Sequence, residues 1–280
     1  MCVLPSDRHV HTEWSWDAPD GSMERTCERA VELGLRSVAF TDHAEFTATT
    51  LLGDPSRLPG QFRRWVRDGM LVPPPMPLEG YLECLERCRN RFPELRILSG
   101  VELSEPQWHT GPAASLLRQG QFDVVICGQH TLPHEPGTWI DVVVAHRIHD
   151  PADVVRHYLA ELLGLVEGWD DFAALAHIDY AMRYWPRDRA VCPPADFEEE
   201  YRAVLRALAG SGRALEINTQ LPLEPDLLRW WHQAGGTAVS FGSDAHDPLG
   251  LAHGFTEAAA MAEAIGFRPG RHRHDFWVRG

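Results

Sequence analysis

The stretch Arg36-Ser37-Val38-Ala39-Phe40-Thr41-Asp42-His43 is a short apolar run that ends on a carboxylate and an imidazole. A run of this length and composition reads as a buried strand. It is preceded by Ser22–Leu33, a segment with helical spacing that opens on a capping serine and stops at Gly34. The unit recurs along the chain. Apolar runs lie at Asp7–Val10, Arg36–Thr41, Arg96–Val101, Phe122–Cys127, Phe172–Ala176, Ala214–Ile217 and Thr237–Phe241. Helix-like segments between or after them lie at Glu79–Arg91, Pro112–Arg118, Asp150–Gly168, Ala195–Gly210, Asp226–Gly235 and Gly250–Ile265. Strand and helix alternating in this way predict parallel βαβ units. With no shift in composition along the 280 residues, they predict one α/β barrel-like domain spanning 1–280 rather than two domains.

Two stretches interrupt the alternation. Thr47–Leu78 is rich in Pro and Gly, with Pro73, Pro74 and Pro75 in succession, and is expected to be a long functional loop. Thr131–Ile148 reads as irregular. The tail Phe267–Gly280 carries a second His-x-His, His272 and His274, which reads as a solvated end.

Bulk properties narrow the function. No apolar run reaches the roughly 18 residues that a membrane-spanning helix needs. Met1–Arg8 lack the apolar core of a signal peptide, so a cytoplasmic location is expected. The six cysteines include no Cys-x-x-Cys pair and are expected to be free thiols, several of them buried. A net charge of −14 with no Lys/Arg stripe argues against long nucleic acid as a partner. It does not argue against a small anion, because bound metal ions would dominate the local field.

The decisive signal is where polar residues fall. His9-Val10-His11 closes the first run, Asp42-His43 the second and Glu102 the third. His130, His177 and Asn218 follow the next three, and Asp244-Ala245-His246 follows the last. The C-terminal ends of barrel strands converge on one face, so these residues are expected to meet. Imidazole and carboxylate without thiolate suit Zn, Mn or Fe. His9 and His11 alternate, so both face one way on an extended strand. Each residue alone has an ordinary reading as a hydrogen-bonded histidine or a solvated acid. Recurrence at successive strand ends favours a metal cluster. His109, His134, His146, His149, His157, His232 and His253 lie in loops or helices and are expected mostly at the surface. Trp230-Trp231 is expected to be partly buried on its helix.

This pattern resembles the PHP family, named for polymerase and histidinol phosphatase domains. The matching pieces are His9-Val10-His11 with Thr12, Ser15 and Asp17, then Thr41-Asp42-His43, Gly100-Val101-Glu102, Gly128-Gln129-His130, Ala176-His177-Ile178-Asp179, Glu216-Ile217-Asn218 and Gly242-Ser243-Asp244-Ala245-His246. They span essentially the whole chain, and within the family they look most like the stand-alone histidinol-phosphate phosphatases. The resemblance implies a distorted (β/α)7 barrel, TIM-barrel-like, with two to three divalent ions at its mouth. It implies one ion on His9, His11, Glu102 and Asp244, a second on Glu102, His130 and His177, and a third on Asp17, His43 and His246. Three such ions and three carboxylates would leave a local charge of about +3, able to draw in phosphate. A metal-bridging hydroxide would attack phosphorus, with Glu102, Asp244 and His246 at the chemistry. An Asp, a His or a metal-bound water would protonate the leaving alkoxide. Arg183, in the loop after His177, is a candidate phosphate contact because its fork fits phosphate oxygens. Asn218 is a further candidate substrate contact.

The expected function is a small-molecule phosphomonoesterase, with L-histidinol phosphate of histidine biosynthesis as the leading substrate. The protein is expected to be a monomer or small homo-oligomer. Gly128-Gln129-His130, Thr219-Gln220-Leu221-Pro222 and the Pro73–Pro75 segment depart from the usual histidinol phosphatase pattern near the substrate. Two alternatives therefore stay open: a nucleotide or 3′,5′-bisphosphate phosphatase or nuclease, and a non-enzymatic metal-stabilised module.

Overall fold

The wall of the barrel consists of β1 (Ser37–Glu45), β2 (Arg96–Ser104), β3 (Val124–Gly128), β4 (Ala174–Leu175), β5 (Ala214–Asn218) and β6 (Ala238–Gly242). Each pairs in parallel with the next. This computed structural model describes residues 4–190, 192–272 and 275–280; the Cys2 thiol and the second His-x-His, through His274, lie outside them.

The first apolar run closes the circle without becoming a regular strand. Asp7–Val10 makes only two bridges, Asp7 with Val38 and Val10 with Ala245. On one side Ala39 N donates to Asp7 O (2.9 Å) and Thr41 N to Val10 O (2.8 Å). On the other, Arg8 N donates to Phe241 O (2.9 Å) and Asp244 N to His9 O (2.8 Å). Side chains interrupt the ladder: Val10 N donates to Thr41 Oγ1 (3.1 Å) and His9 N to Asp7 Oδ1 (3.4 Å). The other half of the outer edge of β6 is covered by Trp277–Arg279, which pairs antiparallel with Ala238 and Val239. The tail therefore contributes to the sheet rather than ending in solvent, and Trp277 is buried.

β1 and β2 run past the apolar residues that announced them. Asp42, His43 and Glu102 lie inside strands rather than after them. A parallel strand is covered on both faces, so its polar residues can point into the barrel mouth without ending the ladder.

Helices pack outside: α1 (Met23–Leu33), α2 (Leu78–Arg91), α3 (Thr110–Gly120), α4 (Pro151–Gly168), α5 (Glu198–Ser211), α6 (Pro225–Gln233) and α7 (Phe255–Ile265). Ser22 Oγ caps α1 by accepting from Arg25 N, and Gly34 ends it at φ 72°. α7 begins later than its helical spacing suggests, because Gly254 stands before it at φ 68°. Tyr81 of α2 clamps the sheet: its hydroxyl donates to Phe40 O and accepts from Gly100 N, both at 2.8 Å. Trp230 and Trp231 are fully within the core, more deeply than their sequence suggests. Cys27, Cys84, Cys88 and Cys127 are buried free thiols. Among the described residues no helix is long and apolar enough to cross a membrane.

The two interrupting stretches are ordered. Thr131–Pro133 and Trp139–Asp141 form a hairpin, followed by a helix Val142–Ile148 whose cap is Asp141 Oδ1, accepting from Val143 N at 2.6 Å. Within 47–78, Thr49–Thr50, Met70–Leu71 and Val66–Arg67 form a small antiparallel sheet. Its tight turn is Asp68-Gly69, with φ 48° and 78°. An Asp-Gly pair tolerates positive φ at both positions and favours a two-residue hairpin turn.

Asp7 is the structural tie at the closure. Its buried carboxylate accepts from Ser243 N (3.0 Å) and Ala252 N (2.9 Å), joining the start of the barrel to its end. Asp7→Ala should destabilise the protein by roughly 2–5 kcal/mol, because it strands buried N–H groups. Urea unfolding checks this; a loss below about 1 kcal/mol would show that backbone contacts alone hold the closure.

Candidate metal centre

β1 and β2 set the centre. His43 and Glu102 are register partners across these strands. Glu102 is completely buried, and its two oxygens face different imidazoles. Oε2 lies 3.0 Å from His9 Nε2, 3.1 Å from His43 Nδ1 and 3.4 Å from His11 Nε2. Oε1 lies 2.8 Å from His177 Nε2 and 3.5 Å from His130 Nε2. Asp244 Oδ1 approaches His11 Nε2 (3.2 Å) and His9 Nε2 (3.5 Å). Asp17 Oδ2 approaches His246 Nε2 (2.9 Å) and His43 Nε2 (3.4 Å).

The spacing suits divalent metal. Ligands bound tetrahedrally at about 2.0–2.1 Å stand roughly 3.3 Å apart. The nitrogen–oxygen separations above scatter around that edge length. His9 Nε2 also lies 3.0 Å from His11 Nε2, and His130 Nε2 3.3 Å from His177 Nε2. Two ring nitrogens that close can share one proton or point their lone pairs at one ion. Four sets of donor atoms could each hold an ion: His11, His43 and His246; His9, His11 and Asp244; His9, Glu102 and His177; His43, Glu102 and His130. The sets, found among the described residues, overlap as a cluster with shared ligands would, but they divide the residues differently from the three sets the resemblance implies: His130 falls with His43, His177 with His9, and Asp17 in none of them.

Charge supports the same reading. Burial alone would raise the Glu102 pKa, yet His9 and His43 hold it well below the ordinary carboxylate range. Burial, reinforced by His246 and His43, pushes His11 down to about 3, so its ring is neutral with a lone pair available. Burial opposes a proton on His9, but Glu216, Glu102 and Asp244 together raise its pKa well above the usual imidazole value. In the absence of metal, such carboxylates are balanced by protons on imidazoles; metal ions would displace them.

A supporting layer fixes the ligating side chains. Glu216 Oε1 meets His9 Nδ1 at 2.7 Å, and Oε2 accepts from His177 N at 2.8 Å. Ser104 Oγ meets His130 Nδ1 at 2.9 Å. Ser15 Oγ donates to Asp17 Oδ1 (2.9 Å) and accepts from His43 N (3.2 Å). Such outer partners orient ligands and set their basicity. Two glycines make room. A Cβ at Gly128 would sit 2.5 Å from His177 Cε1 and 2.8 Å from Glu102 Oε1, and one at Gly242 would sit 2.5 Å from His9 Cβ. Asp244 (φ 56°) and His177 (φ 23°) hold left-handed backbone without being glycine. Strain of this kind persists where the surroundings over-determine it, commonly at functional sites.

Sequence reasoning assigned no role to Glu216, Glu45, Glu105 or Gln220, and it grouped Asp42 with the converging metal-capable residues, whereas the Asp42 carboxylate binds Thr12 N and Oγ1 instead. Alternation held the signal for two of them. Glu216 lies two residues before Asn218 on β5, and Glu45 two after His43 on β1, each facing the way its neighbour faces. Glu105 and Gln220 lie in loops, where spacing predicts no direction. His146, expected at the surface, is buried and meets Ala181 O at 2.9 Å through Nε2.

A cavity of about 480 Å³ opens over the cluster, reaching Asp17, His43, His130, His177, Asp244 and His246. Arg183 stands at its edge. Its Nη1 donates to Asp244 Oδ2 (2.6 Å) and Gln220 Oε1 (2.5 Å), while Nε and Nη2 are buried with no hydrogen-bond partner among the described residues. Asn218 is fully buried beneath the cluster. It donates to Glu216 Oε2 (3.0 Å) and accepts from Gln220 N (2.9 Å), and Gln220 lines the cavity above it.

The PHP domain model matches residues 7–220. Histidinol-phosphatase of Lactococcus lactis subsp. lactis (strain IL1403) is 26% identical over 248 residues, covering 86% of this chain and 83% of the relative. The "Probable histidinol-phosphatase" of Thermotoga maritima is 24% identical over 271 residues, covering 93% of this chain and 92% of the relative. The crystal structure of histidinol phosphate phosphatase from Lactococcus lactis, complexed with zinc, L-histidinol and phosphate, matches with a TM-score of 0.77 at 23% identity over 95% of both chains. That match establishes the shared fold.

Elemental analysis of protein purified without chelators should find about two to three divalent transition-metal ions per chain, given the number of converging donors. Glu102→Gln keeps size and removes the shared charge. It should lower metal content and reduce turnover at least about 10²-fold. Wild-type metal content in this variant would place the shared ligand elsewhere.

Proposed function

The chain belongs to the PHP family, and from that premise we propose that it is a metal-dependent phosphomonoesterase acting on a small phosphorylated alcohol, with L-histidinol phosphate as the leading substrate. The observation that carries this reading is Arg183. A guanidinium with two buried, unpartnered N–H-bearing atoms beside a cluster of metal-binding residues is prepared for a tetrahedral anion. Leaving such donors unpaired is costly, and a phosphate oxygen would satisfy them. The relatives named above, both histidinol phosphatases by name, support the choice of substrate.

His9, His11, Asp17, His43, Glu102, His130, His177, Asp244 and His246 would hold the ions. Bound divalent ions would supply charge neutralisation for the phosphoryl oxygens and water acidified toward a pKa of about 7. The chain's own residues do the rest. Asp244 Oδ2 anchors Arg183, so the guanidinium keeps a fixed direction while its remaining N–H groups orient the phosphoryl group. Glu216 and Ser104 keep His9 and His130 aimed at the cluster.

A phosphate-release assay with Mn or Zn, comparing L-histidinol phosphate with a nucleoside 3′,5′-bisphosphate and other phosphomonoesters, tests the proposal. No release from any of them would end it. A preference for the bisphosphate would move the protein to the nucleotide class. Arg183→Ala should lose about 10- to 10²-fold in kcat/KM, the scale of a charge-assisted hydrogen bond of roughly 1.5–3 kcal/mol. The loss should be equal for every ester because the contact is to the shared group, and metal content should not change. Arg183→Lys should recover only part of it, since an ammonium keeps charge but loses the fork. A loss confined to one ester would show that Arg183 contacts the alcohol instead.

A further inference from the structure

Beyond the nine residues assigned to the ions, the cavity is lined by the carboxylates Glu45, Glu105 and Asp141. Glu105 is engaged through both oxygens, and Glu45 through one, which faces two imidazoles that would hold metal. Glu45 Oε1 faces His130 Nδ1 (3.4 Å) and His43 Nδ1 (3.5 Å) and accepts from Ser104 Oγ (3.4 Å). Glu105 accepts from His130 N (2.6 Å) and Thr131 N (3.1 Å) on one oxygen and from Thr47 Oγ1 (3.0 Å) on the other. Asp141 differs. Its Oδ1 caps the helix Val142–Ile148, and its Oδ2 has no hydrogen-bond or ion-pair partner among the described residues. Arg147 lines the same cavity and acts on Asp141 through its charge, without an ion pair to it among the described residues. Burial pushes the Asp141 carboxyl up to about 6, outweighing the helix-cap hydrogen bond from Val143 N and the more distant charges of His130 and Arg147, which lower it.

Asp141 also stands in the right place. It is the register partner of Thr131, next to His130, and Val142 N donates to His130 O at 3.0 Å. The cavity wall shared with it is apolar. Phe62, from the ordered 47–78 segment, packs edge-on against Trp16 with centroids 5.3 Å apart, and Trp16 immediately precedes Asp17. Leu58, Leu71 and Val144 extend this wall. The strand Thr49–Thr50 packs on Trp139–Asp141, so the apolar segment and the acidic hairpin form one compartment.

We propose that Asp141 is a specificity-determining residue: its free carboxylate oxygen binds an ammonium group on the leaving alcohol, whose apolar body rests against Phe62 and Trp16. This deepens the phosphatase reading and rests on it for the position of the phosphate. A half-buried carboxylate with one open oxygen, in a cavity with an apolar wall, selects a charge-assisted donor over a neutral one, because the cation offsets more of the desolvation.

The test uses two readouts on the metal-loaded protein. The first is kcat/KM on a matched pair, 2-aminoethyl phosphate and ethyl phosphate. Asp141→Asn retains the helix cap and removes the charge. It should shrink the preference for the aminated ester by about 10- to 10²-fold. The second is calorimetric binding of L-histidinol, an amino alcohol that needs no hydrolysis. Its affinity should fall by about the same factor in Asp141→Asn and also fall in Phe62→Ala. An unchanged preference together with unchanged binding would overturn the proposal. So would an equal loss on both esters with reduced metal content, which would make Asp141 a support for His130. If the wild-type protein hydrolyses neither ester nor L-histidinol phosphate but binds L-histidinol in an Asp141-dependent way, the phosphatase reading fails and the ammonium site stands. If it binds no L-histidinol and does not prefer the aminated ester, the ammonium site fails whatever the phosphatase result.

Discussion

An ionised carboxylate at the centre of a protein is tolerated only when positive charge surrounds it, and Glu102 meets that condition from both oxygens. His9, His11 and His43 face one oxygen, and His130 and His177 face the other. The surrounding architecture follows from keeping these five rings on one carboxylate. Glu102 must lie inside a strand rather than in a loop, because a loop residue could not be fixed against that many partners. Its neighbours must leave space, which explains the glycine at 128, where a side chain would collide with both Glu102 and His177. Neither constraint is local. The rings come from both ends of the barrel's first half and from its middle, so the cluster exists only once the barrel has closed.

Closure is therefore more than a topological detail. The segment carrying His9 and His11 is inserted between β1 and β6, and side chains hold much of it in place of a regular ladder. Asp7 binds the backbone of Ser243 and Ala252, which flank the loop bearing Asp244 and His246. Thr12, the residue directly after His11, is gripped by Asp42 through its amide (2.5 Å) and hydroxyl (2.8 Å) at the start of the loop that leads to Asp17. The same few hydrogen bonds thus complete the barrel and aim four of the metal-capable residues. Folding and site formation are one event in this geometry, and metal binding would stabilise both.

The barrel and the convergence of its polar residues were legible because they obey a positional rule. Apolar runs fix strands, and whatever polar residue ends a run is carried to one face. That rule located His9, His11, His43, Glu102, His130, His177, Asp244 and His246 without any knowledge of contacts, while Asp17 came from the family pattern. It did not set strand limits, because Asp42, His43 and Glu102 are polar yet lie within covered strands. It gave no direction for loop residues, so Glu105 and Gln220 went unassigned, and Asn218 lies deeper than its place after a strand suggests. The first run reads as a strand by composition, but Thr41 Oγ1 and Asp7 Oδ1 take N–H groups that a ladder would use. The Asp68-Gly69 turn was present as a sequence signal and was hidden by the proline-rich context around it.

The two inserted stretches separate what the site does from what it acts on. Most of the metal-capable residues sit on or directly after barrel strands, whose positions are tied by backbone ladders and by the core beneath. The cavity wall comes instead from the 47–78 segment and the 131–148 hairpin and helix, which rest on the barrel and against each other. Changes in Phe62, Leu71 or Val144 alter the shape of the compartment without touching a residue that would hold metal. Asp141 is the point where the two layers meet, since it caps the inserted helix and neighbours His130 through the hairpin register. A barrel arranged this way can keep one phosphoryl chemistry while its inserted wall is remodelled for a different alcohol. Of the stretches that depart from the histidinol phosphatase pattern, Pro73 lies in that inserted wall, whereas Gln220 reaches the same cavity from a barrel loop after Asn218. The compartment is therefore shaped jointly by the insertions and by barrel loops, while the metal-capable cluster is tied to the strands.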